Sequence, residues 1–459
     1  MQKSRMRQVG ALLVGLALVA ASCGDDKKDT TDTVAPTTVA DTTPVETDPP
    51  ATDPPAAGSE LAGMKGTTPL VPLTDEFKAA LDGTPTGLAG LDNTYNYGPE
   101  TYDAFVIIAL AAIEAGTDGS ALADFIVGIT KDGEKCTTFA DCKAIIEAGG
   151  DPDYDGVSGP ITMNGNGEPL EASYGILVFG EGNQIDDSLT TYITASAPES
   201  AAKPLGVTDV VREGDGTLQF GGLLPQTGSL AFLAPPEFAG AELAVADINA
   251  AGGVLGNDVT FSPGDSGDTS TDIASQTADR HIADGVDAII GAASSSVTLT
   301  VIDKITAAGI VQFSPANTSL ALVDYPDHSL YFRNAPPDDL QGNVIAQLVI
   351  DDGNQSAYIM ALDDAYGTSL LAVVEAALTA GGVEVLGTKV YDPAATSFDA
   401  EVDEVVAADP DAIILITFDE GSRILKTMVE KGIGPANKAV YGCDGNMGNA
   451  LGTNFNAGA

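Results

Sequence analysis

Five short apolar segments in the second half of the chain end in residues that could contact a small molecule. These residues are Ser294, Ser295 and Ser296; Ser314, Asn317 and Thr318; Asp364 and Tyr366; Phe418 and Asp419; and Asp444. They supply hydroxyls, aromatic rings and carboxylates, which can hydrogen-bond, pack against or charge-pair with a polar solute. Each residue alone is better explained as a helix cap or a turn residue. Taken together, the five segment ends favour a cleft for a small molecule.

The serine group has the most specific chemistry of the five. Ser294–Ser296 follow the apolar segment DAIIGAA and precede the helical pattern VTLTVIDKITAAG. The first N–H groups of a helix have no partner within the helix, so they attract anions. We therefore expect these hydroxyls and amides to hold a carboxylate.

Two other groupings are similar to catalytic or metal-binding motifs but are incomplete. Gly264–Ser270, GDSGDTS, is similar to a serine-protease loop, yet His281 and His328 both lie downstream of it. Residues 151–156, DPDYDG, are similar to the start of a calcium-binding loop, yet Thr162 stands where that loop needs Glu. The sequence also has no P-loop, no zinc-type Cys/His spacing and no nucleophile paired with a base. It predicts binding rather than catalysis, with no metal and no cofactor.

The elements that must position these residues follow a regular pattern from Leu218 onward. Continuous apolar segments alternate with helical ones: LQFGGLLP, DAIIGAAS, GIVQFSPAN, SAYIMALDD, DAIILITFDE and KAVYGCDG are the strand candidates. Such strands are typical of parallel sheets with both faces covered by helices. Ligands bind in these sheets at the carboxyl ends of the strands, which is where the polar groups fall.

Composition sets the outer limits of function. The chain has 459 residues, of which 44% are hydrophobic, enough for two or three lobes with a core. Its 66 acidic and 20 basic residues give a formal charge of −46. A surface of that charge repels polyphosphates, so nucleic acid is excluded as a partner. We interpret the charge as a means of solubility or an adaptation to salt, rather than as metal storage.

The N-terminus is typical of an exported protein. A basic segment precedes Val9–Ala21, which is apolar but too short to span a bilayer, so residues 1–22 are predicted to be a signal peptide. Cys23 resembles the lipidated cysteine of bacterial lipoproteins; an ordinary signal with an incidental cysteine is the alternative. Residues 23–60 are rich in Thr, Pro and Asp and are predicted to be a disordered tether.

Several segments occur in an order that resembles a known family. They are LLPQTGSLAFLAPPEFAGAELAVADINAAGGVLG, GAASSSVTLTVIDK, VQFSPANTS, DDAYGTSL and YGCDGNMGN. This series is similar to the leucine/isoleucine/valine-binding proteins, the type I solute-binding proteins of ABC importers. The resemblance implies an α/β fold of the type I periplasmic-binding-protein kind. Each of its two lobes would be a mostly parallel sheet flanked by helices, and a three-strand hinge would let them close on the ligand.

The resemblance also implies roles for individual residues. Thr318 and the carbonyl of Ala316 correspond to a second set of ligand contacts, and Asp444 to the acidic residue that faces the ligand ammonium. Aromatic positions that line the cleft correspond to Phe232, Tyr366 and Phe418, the last without the hydroxyl of the tyrosine often found there. The predicted ligand-binding residues are Phe232, Ser294, Ser295, Ser296, Ala316, Thr318, Tyr366, Phe418 and Asp444.

The family's opening segment, LLPQTGSL, begins here at Leu223, near the middle of the chain. Upstream segments, among them NYGPETYDAFVIIALAAIEAG, GEKCTTFADC and YDGVSGPITMNGNGEPLEASYGILVF, resemble the family's closing third. Residues 217–459 followed by 61–195 would make one complete domain. We therefore predict a circular permutation with residues 196–216 as the linker. A splice of two truncated genes, or a sequencing artefact, is the alternative.

This permutation assigns each part of the chain to a lobe. Lobe 1 would contain residues 61–150, 217–335 and 445–459. Lobe 2 would contain residues 151–195 and 336–444. The new ends, Leu61 and Ala459, are expected side by side in a loop of lobe 1, from which the tether would emerge.

The cysteines of the domain add a prediction about its covalent structure. Cys136 and Cys142 flank the first turn of a helix opened by Thr138, with Asp141 in a capping-box arrangement. An exported chain meets an oxidising environment, so we predict a disulfide between them. Cys443 should remain a free thiol near the cleft.

These features together predict a lipid-anchored binding protein on the outer face of the cell membrane, at the cell surface or in the periplasm. It would bind an amino acid, branched-chain or similar, as a monomer, and deliver it to an ABC permease and its ATPase. The alternatives are a ligand-sensing surface protein of the same fold, a binder of an amide, urea or an aromatic acid, or an enzyme with an unrecognised site.

Overall fold

The computed structural model describes residues 58–91, 94–197 and 207–458. The predicted signal peptide, Cys23 and the tether up to residue 57 lie outside these residues. The described chain forms two α/β lobes, each built on its own main sheet, as the sequence predicts. A third, two-stranded sheet packs with the helices of lobe 1.

Strands and helices alternate along most of the described chain. The strands are β1 (Lys65–Pro69), β2 (Glu134–Cys136), β3 (Pro152–Tyr154), β4 (Glu171–Val178), β5 (Thr191–Ser196), β6 (Gln219–Leu223), β7 (Thr260–Ser262), β8 (Ala288–Gly291), β9 (Val311–Ser314), β10 (Tyr331–Arg333), β11 (Ser356–Leu362), β12 (Glu384–Tyr391), β13 (Ala412–Ile416) and β14 (Ala439–Gly442). The helices are α1 (Asp75–Asp82), α2 (Gly98–Ala115), α3 (Ala123–Ile126), α4 (Phe139–Glu147), α5 (Ala234–Ala250), α6 (Ile273–Asp284), α7 (Ser295–Ala307), α8 (Asp338–Asp351), α9 (Ala365–Ala380), α10 (Asp399–Ala408), α11 (Gly421–Glu430) and α12 (Asn449–Ala457).

The main sheet of lobe 1 has five parallel strands in the order β10-β9-β8-β6-β7. The chain leaves β6 in one direction through α5 and returns past it through α6. Because such crossovers are right-handed, α5 and α6 lie on opposite faces of the sheet. The strands are therefore covered on both sides, which explains why their sequences are apolar throughout.

Helix α2 is the central helix of lobe 1. Its segment 105–112 is apolar on all sides, and every residue from Gly98 to Ala112 is buried. It packs along α5, where Gly240 permits close approach because a Cβ at that position would collide with the carbonyl oxygen of Gly98. This packing fixes the N-terminal end of α2 beside the start of α5.

The main sheet of lobe 2 has seven strands in the order β12-β11-β13-β14-β1-β4-β5. The first five are parallel to one another, whereas β4 and β5 run antiparallel to their neighbours. Helices α9 and α10 cover opposite faces by the same crossover argument. Residues 412–416 of β13 are completely buried between these layers.

The chain passes between the two sheets in three fully described places: from β1 to α1, from β3 to β4 and from β10 to α8. The buried Arg333 joins two of these passages by donating to Glu168. A fourth connection, from β5 to β6, includes residues 198–206, which lie outside the described part. Its later part is held on lobe 1, where the Arg212 guanidinium lies 2.6 Å from the Asp287 carboxylate.

The lobe boundaries differ from the predicted ones in three places. Strand β1, residues 65–69, lies in the sheet of lobe 2, parallel to β14, and not in lobe 1. Residues 151–163 remain in lobe 1, where they pack on α2 and α4, and the passage to lobe 2 follows them. Residues 445–458 belong to lobe 2, where α12 packs on α11. The physical reason is that β1 covers the free edge of β14, which would otherwise expose unpaired backbone groups.

The two ends of the described domain meet at one side chain. Asn183 donates hydrogen bonds to the Glu60 carboxylate at 3.1 Å and to the Asn456 amide oxygen at 2.7 Å. Ala459 itself lies outside the described residues. Asn183 follows β4, so this meeting point is in lobe 2 rather than in a loop of lobe 1.

The structure pairs Cys136 and Cys142 in a disulfide, with their Cα atoms 5.3 Å apart. The Thr138 hydroxyl between them accepts a hydrogen bond from the Asp141 amide and caps α4. Cys443 is a free, buried thiol. Within the described chain no single helix is long and apolar enough to cross a membrane. Two helical segments joined by a bend, Gly98–Ala115 and Ser120–Thr130, are together long and apolar enough by length and composition alone.

Candidate ligand site

A small cavity lies between the two lobes at the carboxyl ends of their strands. Seven of the nine predicted ligand residues line it: Ser294, Ser295, Ala316, Thr318, Tyr366, Phe418 and Asp444. Five further residues complete the lining: Tyr97, Leu230, Leu233, Ala293 and Gly445. We call this space the ligand cavity.

Lobe 1 contributes a neutral wall to the ligand cavity. Ser294 caps α7, because its Oγ accepts a hydrogen bond from the Val297 amide at 3.3 Å. Ser295 follows as the first residue of the helix, and its Oγ accepts from the Ser319 amide at 3.3 Å. Both hydroxyl protons are thus available to a ligand, beside helix N–H groups that favour an anion.

The loop that carries Ala316 and Thr318 is held rigidly against β8. Asn317, between them, is fully buried and donates to the carbonyls of Ala292 and Ala293 at 2.9 and 2.8 Å. The Thr318 carbonyl accepts from the Asp338 amide at 2.8 Å. The Asn317 side chain therefore has a structural role, and it presents its two neighbours to the cavity.

Lobe 2 contributes a charged and aromatic wall. The Asp444 carboxylate, only 4% exposed, accepts hydrogen bonds from the Tyr97 hydroxyl at 2.6 Å and the Tyr366 hydroxyl at 2.8 Å. Burial raises the pKa of Asp444, whereas the two tyrosine donors lower it. A ligand ammonium would supply the positive charge that this buried group lacks.

The aromatic part of this wall is tightly packed. The rings of Tyr366 and Phe418 stack with their centroids 5.4 Å apart and their planes at 9°. Gly445 lies against both, because a Cβ there would stand 3.0 Å from Phe418 and 3.1 Å from the Tyr366 hydroxyl. Glycine is needed at this position to bring Asp444 close to the rings.

Two predicted residues do not line the cavity. The Ser296 Oγ instead donates to the Asp364 carboxylate at 3.1 Å and accepts from the Ala365 amide at 2.8 Å, so it joins the two lobes. Phe232 packs beside Gly448. In both cases an adjacent residue lines the cavity instead: Ser295 before Ser296, and Leu233 after Phe232.

Sequence analysis missed Tyr97 as a site residue. It stands at the cap of α2 with φ of 61°. Its partner Asp444 is 347 positions away in the chain. The available signal was an aromatic residue just before the Gly98-Pro99 start of a buried helix.

The lobes are in direct contact around the ligand cavity. The Ser319 hydroxyl donates to the Ala365 carbonyl at 2.7 Å, and the Leu320 amide donates to the Ser369 hydroxyl at 3.0 Å. The cavity measures about 20 Å³, room for about one water molecule. A larger solute can enter only if the lobes move apart about the connecting passages.

Two α/β lobes with a buried, polar site between them define a class of ligand-binding proteins. The chain belongs to the periplasmic binding protein family, whose model matches residues 217–456, just over half of the sequence. The resemblance inferred from the sequence is thereby confirmed.

Individual relatives are solute-binding proteins rather than enzymes. A substrate-binding protein of a chemotactic signal transduction system, BasB of Halobacterium salinarum, is 31% identical over 43% of this chain and 49% of its own length. The Leu/Ile/Val-binding protein BraC3 of Rhizobium johnstonii is 25% identical over 56% of this chain and 66% of its own. The chain thus spans about half to two thirds of the length of these two relatives.

Among solved structures, this chain is similar to LivJ of Streptococcus pneumoniae. LivJ is the substrate-binding protein of a branched-chain amino acid transporter, and its structure was solved in complex with isoleucine. The match has a TM-score of 0.47 and 25% identity, and it covers 52% of this chain and 67% of that one.

Proposed function

We propose that this protein binds an amino acid, branched-chain or similar, between its two lobes outside the cytoplasm. The observation that carries the proposal is the arrangement of charge in the ligand cavity. Asp444 and its two tyrosine partners face the hydroxyls and helix amides of Ser294 and Ser295. A zwitterionic amino acid presents an ammonium to the first group and a carboxylate to the second. The names of the Rhizobium and Streptococcus relatives add support.

A thermal-shift screen tests the ligand class. It would include branched-chain and other amino acids, amides, urea and aromatic acids. We expect the largest rise in Tm from an amino acid with an apolar side chain, because Leu230, Leu233 and Phe418 line the cavity. A ligand present at 100 times its Kd stabilises the native state by about 2.7 kcal/mol. A rise only with solutes that lack an amine would contradict the proposal.

Delivery and anchoring form a second part of the proposal. The protein would be held on the outer face of the membrane by a lipid on Cys23 and pass its ligand, as a monomer, to an ABC permease and its ATPase. Metabolic labelling with a fatty-acid analogue tests the anchor. We expect label in the wild type and none in Cys23→Ala, which should also be released from the membrane fraction. Equal labelling of both chains would rule out Cys23 as the anchor.

A surface sensor is the second candidate function. The relative from Halobacterium is named for chemotactic signal transduction, which favours it. Ligand uptake measured in cells with and without the protein separates the two functions: a transporter component is required for uptake, and a sensor is not.

We also propose that the domain is circularly permuted. Three observations support this: β1 pairs with β14, α2 packs on α5, and Asn183 contacts both ends of the described domain. A rearranged chain, 217–459 joined by a short linker to 61–195, should fold and bind with unchanged affinity. Failure of that chain to fold would favour the splice of two truncated genes.

A further inference from the structure

A second cavity lies between the lobes, beside the passage from β1 to α1. Its volume is about 230 Å³, more than ten times that of the ligand cavity. Lobe 1 lines it with Lys78, Tyr95 and Asn96, and lobe 2 with Asp187, Thr190, Tyr192 and Met447–Asn449. We call it the hinge cavity, because Leu70, Val71 and Leu73 of the passage form one side.

The hinge cavity shares no lining residue with the ligand cavity. The two cavities meet a common wall at consecutive residues, because Asn96 lines the hinge cavity and Tyr97 lines the ligand cavity. The Asn96 side chain donates to the Met447 carbonyl at 3.1 Å and so closes this wall. The two cavities are therefore adjacent but distinct sites.

Opposite charges line the hinge cavity from opposite lobes. The Lys78 ammonium lies 5.7 Å from the centroid of the Tyr95 ring and forms no ion pair with any carboxylate of the described residues. The Asp187 carboxylate likewise has no hydrogen-bond or ion-pair partner within the described part of the chain. Asp187 and Tyr192 both line the cavity, and burial and the Asp187 charge raise the pKa of Tyr192.

A third polar group is available in the same space. The Thr190 hydroxyl is shielded from solvent and has no hydrogen-bond partner among the described residues. A buried hydroxyl without a partner is uncommon in proteins, and a bound ligand would satisfy it. The cavity thus offers one cationic side chain, one anionic side chain and a buried hydroxyl that lacks a partner among the described residues.

We propose that the hinge cavity is a second binding site, for a small zwitterion that bridges Lys78 and Asp187. Its carboxylate pairs with Lys78 of lobe 1, and its ammonium pairs with Asp187 of lobe 2. A ligand with two negative charges would be repelled by Asp187, and a ligand with two positive charges would be repelled by Lys78. A ligand with one charge of each sign therefore fits the cavity. Because the charges belong to different lobes, the bound solute favours the arrangement in which the lobes are together.

Isothermal titration tests the site with glycine, β-alanine and γ-aminobutyrate, three zwitterions of increasing charge separation. We expect saturable binding of at least one of them to the wild-type protein. Affinity should fall about fivefold in Lys78→Met and in Asp187→Asn, as expected for a partly exposed ion pair. Lys131→Met, which removes another unpaired lysine outside the cavity, should bind like the wild type.

A ligand without an ammonium, butanoate, tests the role of each charge, and the variant Asp444→Asn distinguishes the two cavities. Butanoate lacks the ammonium, so its binding should be weakened by Lys78→Met and not weakened by Asp187→Asn, which removes a like charge. Binding to the hinge cavity should be the same in Asp444→Asn as in the wild type, which separates this proposal from the one for the ligand cavity. Absence of saturable binding by all three zwitterions, or binding that depends on Asp444 and not on Lys78, would overturn the assignment.

Discussion

The two walls of the ligand cavity use different chemistry for the same task. Lobe 1 presents hydroxyls and helix amides at Ser294 and Ser295, without a charged side chain in the lining. Lobe 2 presents the buried carboxylate of Asp444 beside stacked aromatic rings. Dipoles can hold an anion without burying a compensating charge, whereas an ammonium removed from water needs an opposite charge. The comparison predicts that binding depends more strongly on the lobe 2 wall.

Asp444→Asn should have the largest effect on binding. The change keeps the shape of the side chain and removes its charge, leaving a bound ammonium with dipolar partners only. Loss of such a partner costs about 2–5 kcal/mol, so affinity for an amino acid should fall at least about tenfold. Isothermal titration of both proteins with the best ligand of the screen measures it.

A solute without an amine serves as the control for this prediction, since its affinity should hardly change. Equal affinity of the wild type and Asp444→Asn for an amino acid would show that Asp444 is only a turn residue and does not bind the ligand. It would also remove the difference between the two walls.

The disulfide should affect stability and leave binding unchanged. Cys136 and Cys142 are in lobe 1 and do not line the ligand cavity. Replacing both with Ala should lower the free energy of unfolding by about 2 kcal/mol, the value expected for a short closed loop. Urea denaturation measures the loss, and the wild type under reducing conditions should match the variant. A change in ligand affinity would mean that this region shapes the lobe 1 wall.

Two buried carboxyls near the cavity provide the next comparison. Asp444 has two tyrosine donors that stabilise its ionised form, whereas Glu100 Oε2 has no hydrogen-bond partner among the described residues. Burial accordingly raises the pKa of Glu100 to about 8. Below its unfolded value near 4.5, Glu100 is protonated in both states, and between 4.5 and 8 only the folded protein keeps the proton. Stability should therefore fall as the pH rises through this window, by up to about 1.4 kcal/mol per pH unit.

Glu100→Gln should flatten this pH dependence. Unfolding by urea at several pH values between 4.5 and 8 measures the slope for each protein. Glu114→Gln, on the exposed side of the same helix, is the matched control and should keep the wild-type slope. Equal slopes in the wild type and Glu100→Gln would show that the buried glutamate does not retain its proton.

Sequence analysis predicted most of this site because the information was local. Ser294, Ser295 and Asp444 each follow an apolar strand directly, so their position at a strand end could be inferred from their neighbours in the chain. Tyr97 could not be found in this way, because its contact with Asp444 depends on how α2 packs against α5. Strand β1 was assigned to the wrong lobe for a related reason: a five-residue strand can pair with any free sheet edge, and only the assembled sheet shows which edge is free.

The smallest expected effect concerns the lobe 1 wall. Ser295 is 2% exposed, and Ser295→Ala removes its hydroxyl, which accepts a hydrogen bond from the Ser319 amide at 3.3 Å. One hydrogen bond contributes about 0.5–1.5 kcal/mol, so affinity for an amino acid should fall by no more than about tenfold. The helix amides remain in place and continue to attract the carboxylate, which is why the loss should be smaller than that of Asp444→Asn. Ser270→Ala, an exposed serine of the same lobe, should bind like the wild type in the same titration. A loss in Ser295→Ala as large as that in Asp444→Asn would mean that the neutral wall contributes as much to binding as the charged one.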